Sequence, residues 1–155
     1  MDRVWFLTWA MYGHQLPSEL QELPEETPVG EPIELDGAKA AAVLDQFHET
    51  ANHRGWKLLA VSIRSTCVHI VVNVPGDPDP AKVLQDFKSY GSRRLNQVFG
   101  KAPSGLWWTG NSARRKIKDA TAVKATINDI ISKENVLVTW VQGGNASPES
   151  NQSNT

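Results

Sequence analysis

Four stretches of the chain carry the period of two, or the unbroken apolar run, that marks a β-strand. They are RVWFLTWAMY from Arg3, WKLLAVSIR from Trp56, CVHIVVNV from Cys67 and VLVTWV from Val136. Three others repeat at helical spacing. Val43, Phe47 and Ala51, with Leu44 beside them, follow Asp36, a natural N-cap, and Gly55 ends that helix after Arg54. Asp79-Pro80 opens a second helix that runs to about Val98, with Val83, Phe87, Tyr90, Leu95 and Val98 near one stripe. Asp119 caps a third, with Val123, Ile127, Ile130 and Ile131 at helical spacing. Between the last two helices, GKAPSGLWWTGNSARRKIK reads as loop, with room for a short strand around residues 106–109.

Strand, helix, strand, strand, helix, helix, strand is the order of the ferredoxin-like split βαβ plan with an added helix. It predicts an α+β fold, with an antiparallel sheet and helices on one face. Val68, Ile70, Val72 and Val74 then face the helices, and Cys67 and His69 share the opposite face with Val71 and Asn73. A cysteine and a histidine so placed read in one of two ways. They are a partial, soft metal site suited to zinc, or a small thiol beside a histidine with its hydrogen bonds satisfied. The remaining histidines, His14, His48 and His53, lie in a loop and in the first helix, away from that strand.

At 155 residues the chain is long enough for one domain with a core that needs neither disulfides nor metals. That domain is expected over residues 1–141, with a disordered tail over 142–155, where Ala146 is the one apolar residue. No apolar run is long enough to span a bilayer, and MDRVWFLTWAMYG lacks the uninterrupted apolar segment of a signal peptide. The single cysteine permits no internal disulfide, so the expected location is the cytoplasm, without membrane association.

The net charge of −1 conceals a segregation. A loop over residues 14–35 holds four prolines and only acidic charges, whereas from Pro80 to Lys118 Asp86 is the single acid among nine basic residues. Such a basic stretch fits either a local anion-binding surface or a solvated helix face. Lys88, Arg93, Arg94, Arg114, Arg115 and Lys116 are its candidate phosphate contacts. Trp107 and Trp108 beside them suit the stacking of unpaired bases, and equally suit a split between core and surface. Tyr90 is either a candidate nucleophile or a packing residue beside Phe87.

The segments FLTWAMYGHQLP, GWKLLAVSIRSTCVHIVVNVPGDPDP, DFKSYGSRRLN, SGLWWTGNSARRKI and AVKATINDIISKEN stand in the order and spacing of a known family. The chain resembles the single-tyrosine HUH transposases, of the insertion sequence 200 type and the repeat-associated type, from Val4 to Trp140. The resemblance implies ferredoxin-like homodimers that bind single-stranded or hairpin DNA and cleave one strand with a tyrosine. It also implies Mg²⁺ or Mn²⁺ held by the two histidines of the HUH strand and a third polar residue.

Carried over residue by residue, the resemblance puts Cys67 and His69 at the two histidine positions. Asp129 falls at the position of the nucleophilic tyrosine, and Lys133 at that of the metal-binding glutamine four residues on. A thiol is a poor ligand for magnesium or manganese. An aspartyl phosphate hydrolyses or reverts readily, and a lysine repels a metal. The expectation is a transposase-family DNA-binding protein deficient in strand cleavage, needing no cofactor, in which Asp129 and Lys133 form an ordinary i, i+4 surface pair. Two alternatives remain. One is an active metal-dependent transposase or nuclease with altered catalytic residues, for example zinc on Cys67 and His69 with Tyr90 as nucleophile. The other is a dimeric interaction module, or non-functional remnant, without nucleic-acid binding.

Overall fold

The computed structural model of the chain describes residues 3–16, 31–76 and 78–143. Most of the acidic loop (17–30) and of the tail (144–155) lies outside the described residues.

Each helix begins where an aspartate offers its carboxylate to a free backbone N–H. Asp36 accepts from the N–H of Lys39 at 2.9 Å and starts α1 (Gly37–Arg54). Asp79 accepts from Ala81 at 3.0 Å, with Pro80 as the first residue of α2 (Pro80–Phe99). Asp119 accepts from Ala122 at 2.8 Å and starts α3 (Ala120–Ile131). Gly55 closes α1 in the left-handed region, its N–H returned to carbonyls of the last turn.

Five strands form one sheet. They are β1 (Arg3–Met11), β2 (Lys57–Arg64), β3 (Cys67–Val74), β4 (Trp108–Ile117) and β5 (Val136–Val141), in the order β4-β1-β3-β2-β5. Every pairing is antiparallel. Strands β4-β1-β3-β2 with α1 and α2 make the split βαβ unit, and β5 extends it beyond β2.

The alternation of β1 and β3 decides what lies on each side. Leu7, Trp9 and Met11 share a face with Val68, Ile70, Val72 and Val74, and α1 and α2 cover it with Val43, Phe47, Val83, Phe87 and Leu95. Aromatic rings fill the centre of this core, edge to face: Trp9 on Phe47, Trp9 on Trp108 and Phe47 on Phe87. Val4, Ala60 and Val71 point the other way, where α3 lays down Ile130, Ile127, Val123 and Ile131.

Three details differ from the sequence reading. The segment read as loop with a short strand is a full ten-residue edge strand, β4, held by β1 along its length. The added helix covers the opposite face from α1 and α2. Val98 leaves the stripe of α2 and is 56% exposed, because that stripe runs through Val83, Phe87, Gly91 and Leu95.

Candidate functional site

A cleft of about 600 Å³ lies between α3, β1, β4 and the end of β2. His69 lies on its floor and Phe6 beside it, the two rings stacked with centroids 5.8 Å apart. Asp129 and Lys133 border it from α3 and the turn that follows. Arg64, at the end of β2, Arg115 on β4 and Lys118 just past it join Lys133 as four basic residues against one acid among the described residues, whereas Lys116 borders the cleft but stands opposite Trp5, which packs on the α1–α2 side.

His69 is buried and its tautomer follows from one neighbour. Thr8 sits opposite it across the β1–β3 pairing. The Thr8 hydroxyl donates its only proton to the carbonyl of Val68 at 2.7 Å, so toward His69 Nδ1, 2.9 Å away, it accepts. Nδ1 therefore carries the ring proton, and Nε2 presents its lone pair. What it meets is the Cys67 thiol, 3.5 Å away.

The electrostatics keep this pair neutral. Burial, seconded by the Arg64 and Lys133 charges and opposed by Asp129, lowers the His69 pKa to about 4. Burial also pushes the Cys67 thiol above its ordinary value, against the pull of Arg64. At neutral pH the pair is a thiol donating to an imidazole, rather than the thiolate–imidazolium couple of a cysteine nucleophile.

Asp129 and Lys133 do form the expected i, i+4 ion pair, Nζ to Oδ2 at 3.4 Å. Their setting is not an ordinary solvated helix face, however, since both border the cleft that holds His69. Of the sequence-predicted site residues, His69, Asp129, Lys133, Arg115 and Lys116 line one cavity, and Cys67 adjoins it through His69.

The rest of the predicted DNA contacts are dispersed. Trp107 and Trp108 are buried in the α1–α2 core, their indole N–H groups donating to Asn96 Oδ1 and to the Lys88 carbonyl, both at 2.8 Å. Stacking on a base is worth about 1–3 kcal/mol. Withdrawing such a ring from a core forfeits a comparable burial term and its hydrogen bond as well. The stacking platform read from the sequence is thus a core element. Lys88 is buried too, its Nζ donating to the Thr109 carbonyl at 2.9 Å, and burial lowers its pKa to about 8. It is a structural cation rather than an outward phosphate contact.

Arg93 lies over the Tyr90 ring at 4.9 Å, and Arg94 pairs with Glu49. Arg114 alternates with Arg115 on β4, and its partner residue, Leu7, faces the α1–α2 side. Tyr90 belongs to α2, so the sheet stands between it and His69. Within one chain the two cannot act on one phosphodiester.

Arg64, Lys118, Phe6 and Thr8 are site residues that the sequence reading missed. Arg64 was reachable, because the β2–β3 hairpin pairs Ser62 with His69 and so puts Arg64 on the same face. Thr8 required the β1–β3 register, which no local pattern reveals.

The model of the family described as "Transposase IS200 like" matches residues 35–129 of the chain. The chain belongs to this family. Two solved structures share the fold of this IS200-like transposase family member. One is a Deinococcus radiodurans R1 protein assigned as a transposase, with 18% identity over 81% of this chain and 87% of that one, at a TM-score of 0.55. The other is a REP-associated tyrosine transposase bound to a REP hairpin, with 12% identity over 84% of this chain and 66% of that one, at a TM-score of 0.54. No curated protein matches the sequence.

For an IS200-like transposase, the divalent-metal set implied by the resemblance does not fit the residues present. Magnesium and manganese favour hard oxygen donors over a thiol. At the positions that the resemblance implies for the ligands, Cys67 presents a thiol that points its hydrogen at His69 Nε2, and Lys133 presents an ammonium group paired with Asp129. Arg64 adds a second fixed cation, its Nη1 3.8 Å from the same thiol. Among the described residues, no helix is long and apolar enough to cross a membrane.

Proposed function

We propose that this member of the IS200-like transposase family binds single-stranded, hairpin-forming DNA and does not cut it. The observation that carries the reading is the Asp129–Lys133 ion pair at the mouth of the His69 cleft. By resemblance those are the positions of the nucleophilic tyrosine and of the metal-binding glutamine. An aspartate held by an ammonium group offers neither a stable phosphodiester acceptor nor a metal ligand set. DNA binding is supported by the basic wall of the cleft and by a fold neighbour bound to a REP hairpin. A homodimer and a cytoplasmic location belong to the same proposal. Val98, Phe99 and Leu106 are exposed apolar residues suited to a second copy, and light scattering measures the dimer.

The test is covalent capture. Wild-type protein incubated with labelled hairpin DNA and Mn²⁺ is expected to give no adduct on a denaturing gel. The triple variant Cys67→His, Asp129→Tyr, Lys133→Gln is expected to give one. A wild-type adduct would contradict the proposal, and its disappearance in Tyr90→Phe would establish the alternative nucleophile acting between chains.

A further inference from the structure

The cleft is built for an anion with an apolar portion. Phe6, Ile117, Ala122 and Ile130 line it together with its cations. A volume of about 600 Å³ is within the range of sites for small organic ligands.

Two of the cations are positioned differently from ordinary surface charges. Arg64 is anchored by its Nε donating to the Glu134 carbonyl at 2.8 Å, with Nη1 turned toward Cys67. That anchors the guanidinium at the edge of the cleft. Lys133 is held only loosely, 3.4 Å from a carboxylate that is 66% exposed. Asp129 is the sole acid of the cleft among the described residues, so an incoming anion competes with it for Lys133.

We infer that Arg64 and Lys133 hold one phosphate of an unpaired nucleotide in this cleft without a divalent ion, the base resting on the Phe6–Ile117 wall. The ammonium group of Lys133 supplies the positive charge beside the phosphate as a permanent part of the chain. This rests on the reading of the protein as a binder of single-stranded DNA, and it names where and how the strand is gripped. No bond is made or broken. A charge-assisted contact of a phosphate with either side chain forms while the Lys133–Asp129 contact opens.

The two residues of the ion pair then have opposite effects. Removing the lysine charge weakens binding, whereas removing the carboxylate strengthens it. A role of the pair in helix stability alone would give neither effect.

The experiment is calorimetric titration of the full chain, in EDTA, with thymidine 5′-monophosphate and with thymidine. The nucleotide is expected to bind about tenfold or more tightly than the nucleoside, from the loss of a charged hydrogen bond. Lys133→Gln should weaken nucleotide binding about tenfold, and Asp129→Asn should tighten it several-fold. Both positions are exposed, so the variants keep the fold, and circular dichroism checks it. Arg64→Gln is a second probe, at a half-buried side chain, with the same sign as Lys133→Gln.

Equal binding of nucleotide and nucleoside would overturn the inference. So would binding that requires Mg²⁺ or Mn²⁺, or Lys133→Gln behaving as wild type. Hairpin DNA separates this failure from that of the functional reading. If wild type and Lys133→Gln bind hairpin equally well, the protein is a DNA binder that does not use this cleft. If neither binds any DNA, the functional reading itself fails.

Discussion

Thr8 shows how much one hydroxyl decides. Its proton is committed to the Val68 carbonyl, so it fixes the His69 tautomer and turns Nε2 toward the thiol. Cys67 and His69 were legible in the sequence as neighbours on one strand face, because strand alternation alone puts them there. Their neutrality was not legible, since it depends first on burial, to which Arg64 and Lys133 add for His69 while Asp129 opposes it, and against which Arg64 and Lys133 pull at Cys67. A pH dependence follows. His69 has a folded pKa of about 4 against about 6.5 when unfolded, so between those values the unfolded chain binds more protons. Its contribution to stability is fully present above pH 6.5 and is lost as pH falls toward 4, by up to about 3 kcal/mol. Urea midpoints at pH 7 and pH 4.5 should fall more steeply for wild type than for His69→Gln. Parallel declines would show that His69 does not carry this term.

At the scale of elements, the helices were readable almost to the residue because their signals are local: an aspartate cap, an apolar stripe, and for α1 a glycine stop. Strand β4 was not. WTGNSARRKI lacks apolar alternation because it is an edge strand, bonded on one side only, with Arg114, Arg115 and Lys116 exposed. Its strand state comes from β1 rather than from its own propensity. The two tryptophans at its start misled for a related reason. Their basic neighbours suggested a surface, whereas Trp108 reaches the α1–α2 core and closes over Gly91. A Cβ at Gly91 would lie 3.3 Å from the Trp108 ring and 3.4 Å from that of Phe47. Gly91→Val should therefore cost about 1–3 kcal/mol by overpacking, despite the general weakness of glycine in helices. Chemical denaturation measures it, and a variant as stable as wild type would mean that α2 and Trp108 are not packed this tightly.

Over the whole molecule, the order of elements was enough to expect the split βαβ sheet, and the family follows from the match over residues 35–129. The sidedness was harder to see. Placing α3 across from α1 and α2 separates two sets of residues that the linear sequence mixes. Tyr90, Lys88 and the tryptophans belong to the core side. His69, Asp129, Lys133, Arg64 and Arg115 gather round the cleft. The basic stretch therefore matters less as a run along the chain than as the part of it that β4 delivers to that cleft. Phosphate neutralisation by such residues releases counterions, so any real DNA binding must weaken steeply with salt. The most direct measurement is fluorescence anisotropy of the wild-type protein, in EDTA, with hairpin-bearing single-stranded DNA, unstructured single strand and duplex at two salt concentrations. Hairpin-selective binding that salt weakens is the expected result. Absence of binding to all three, or equal binding to duplex, would contradict the account.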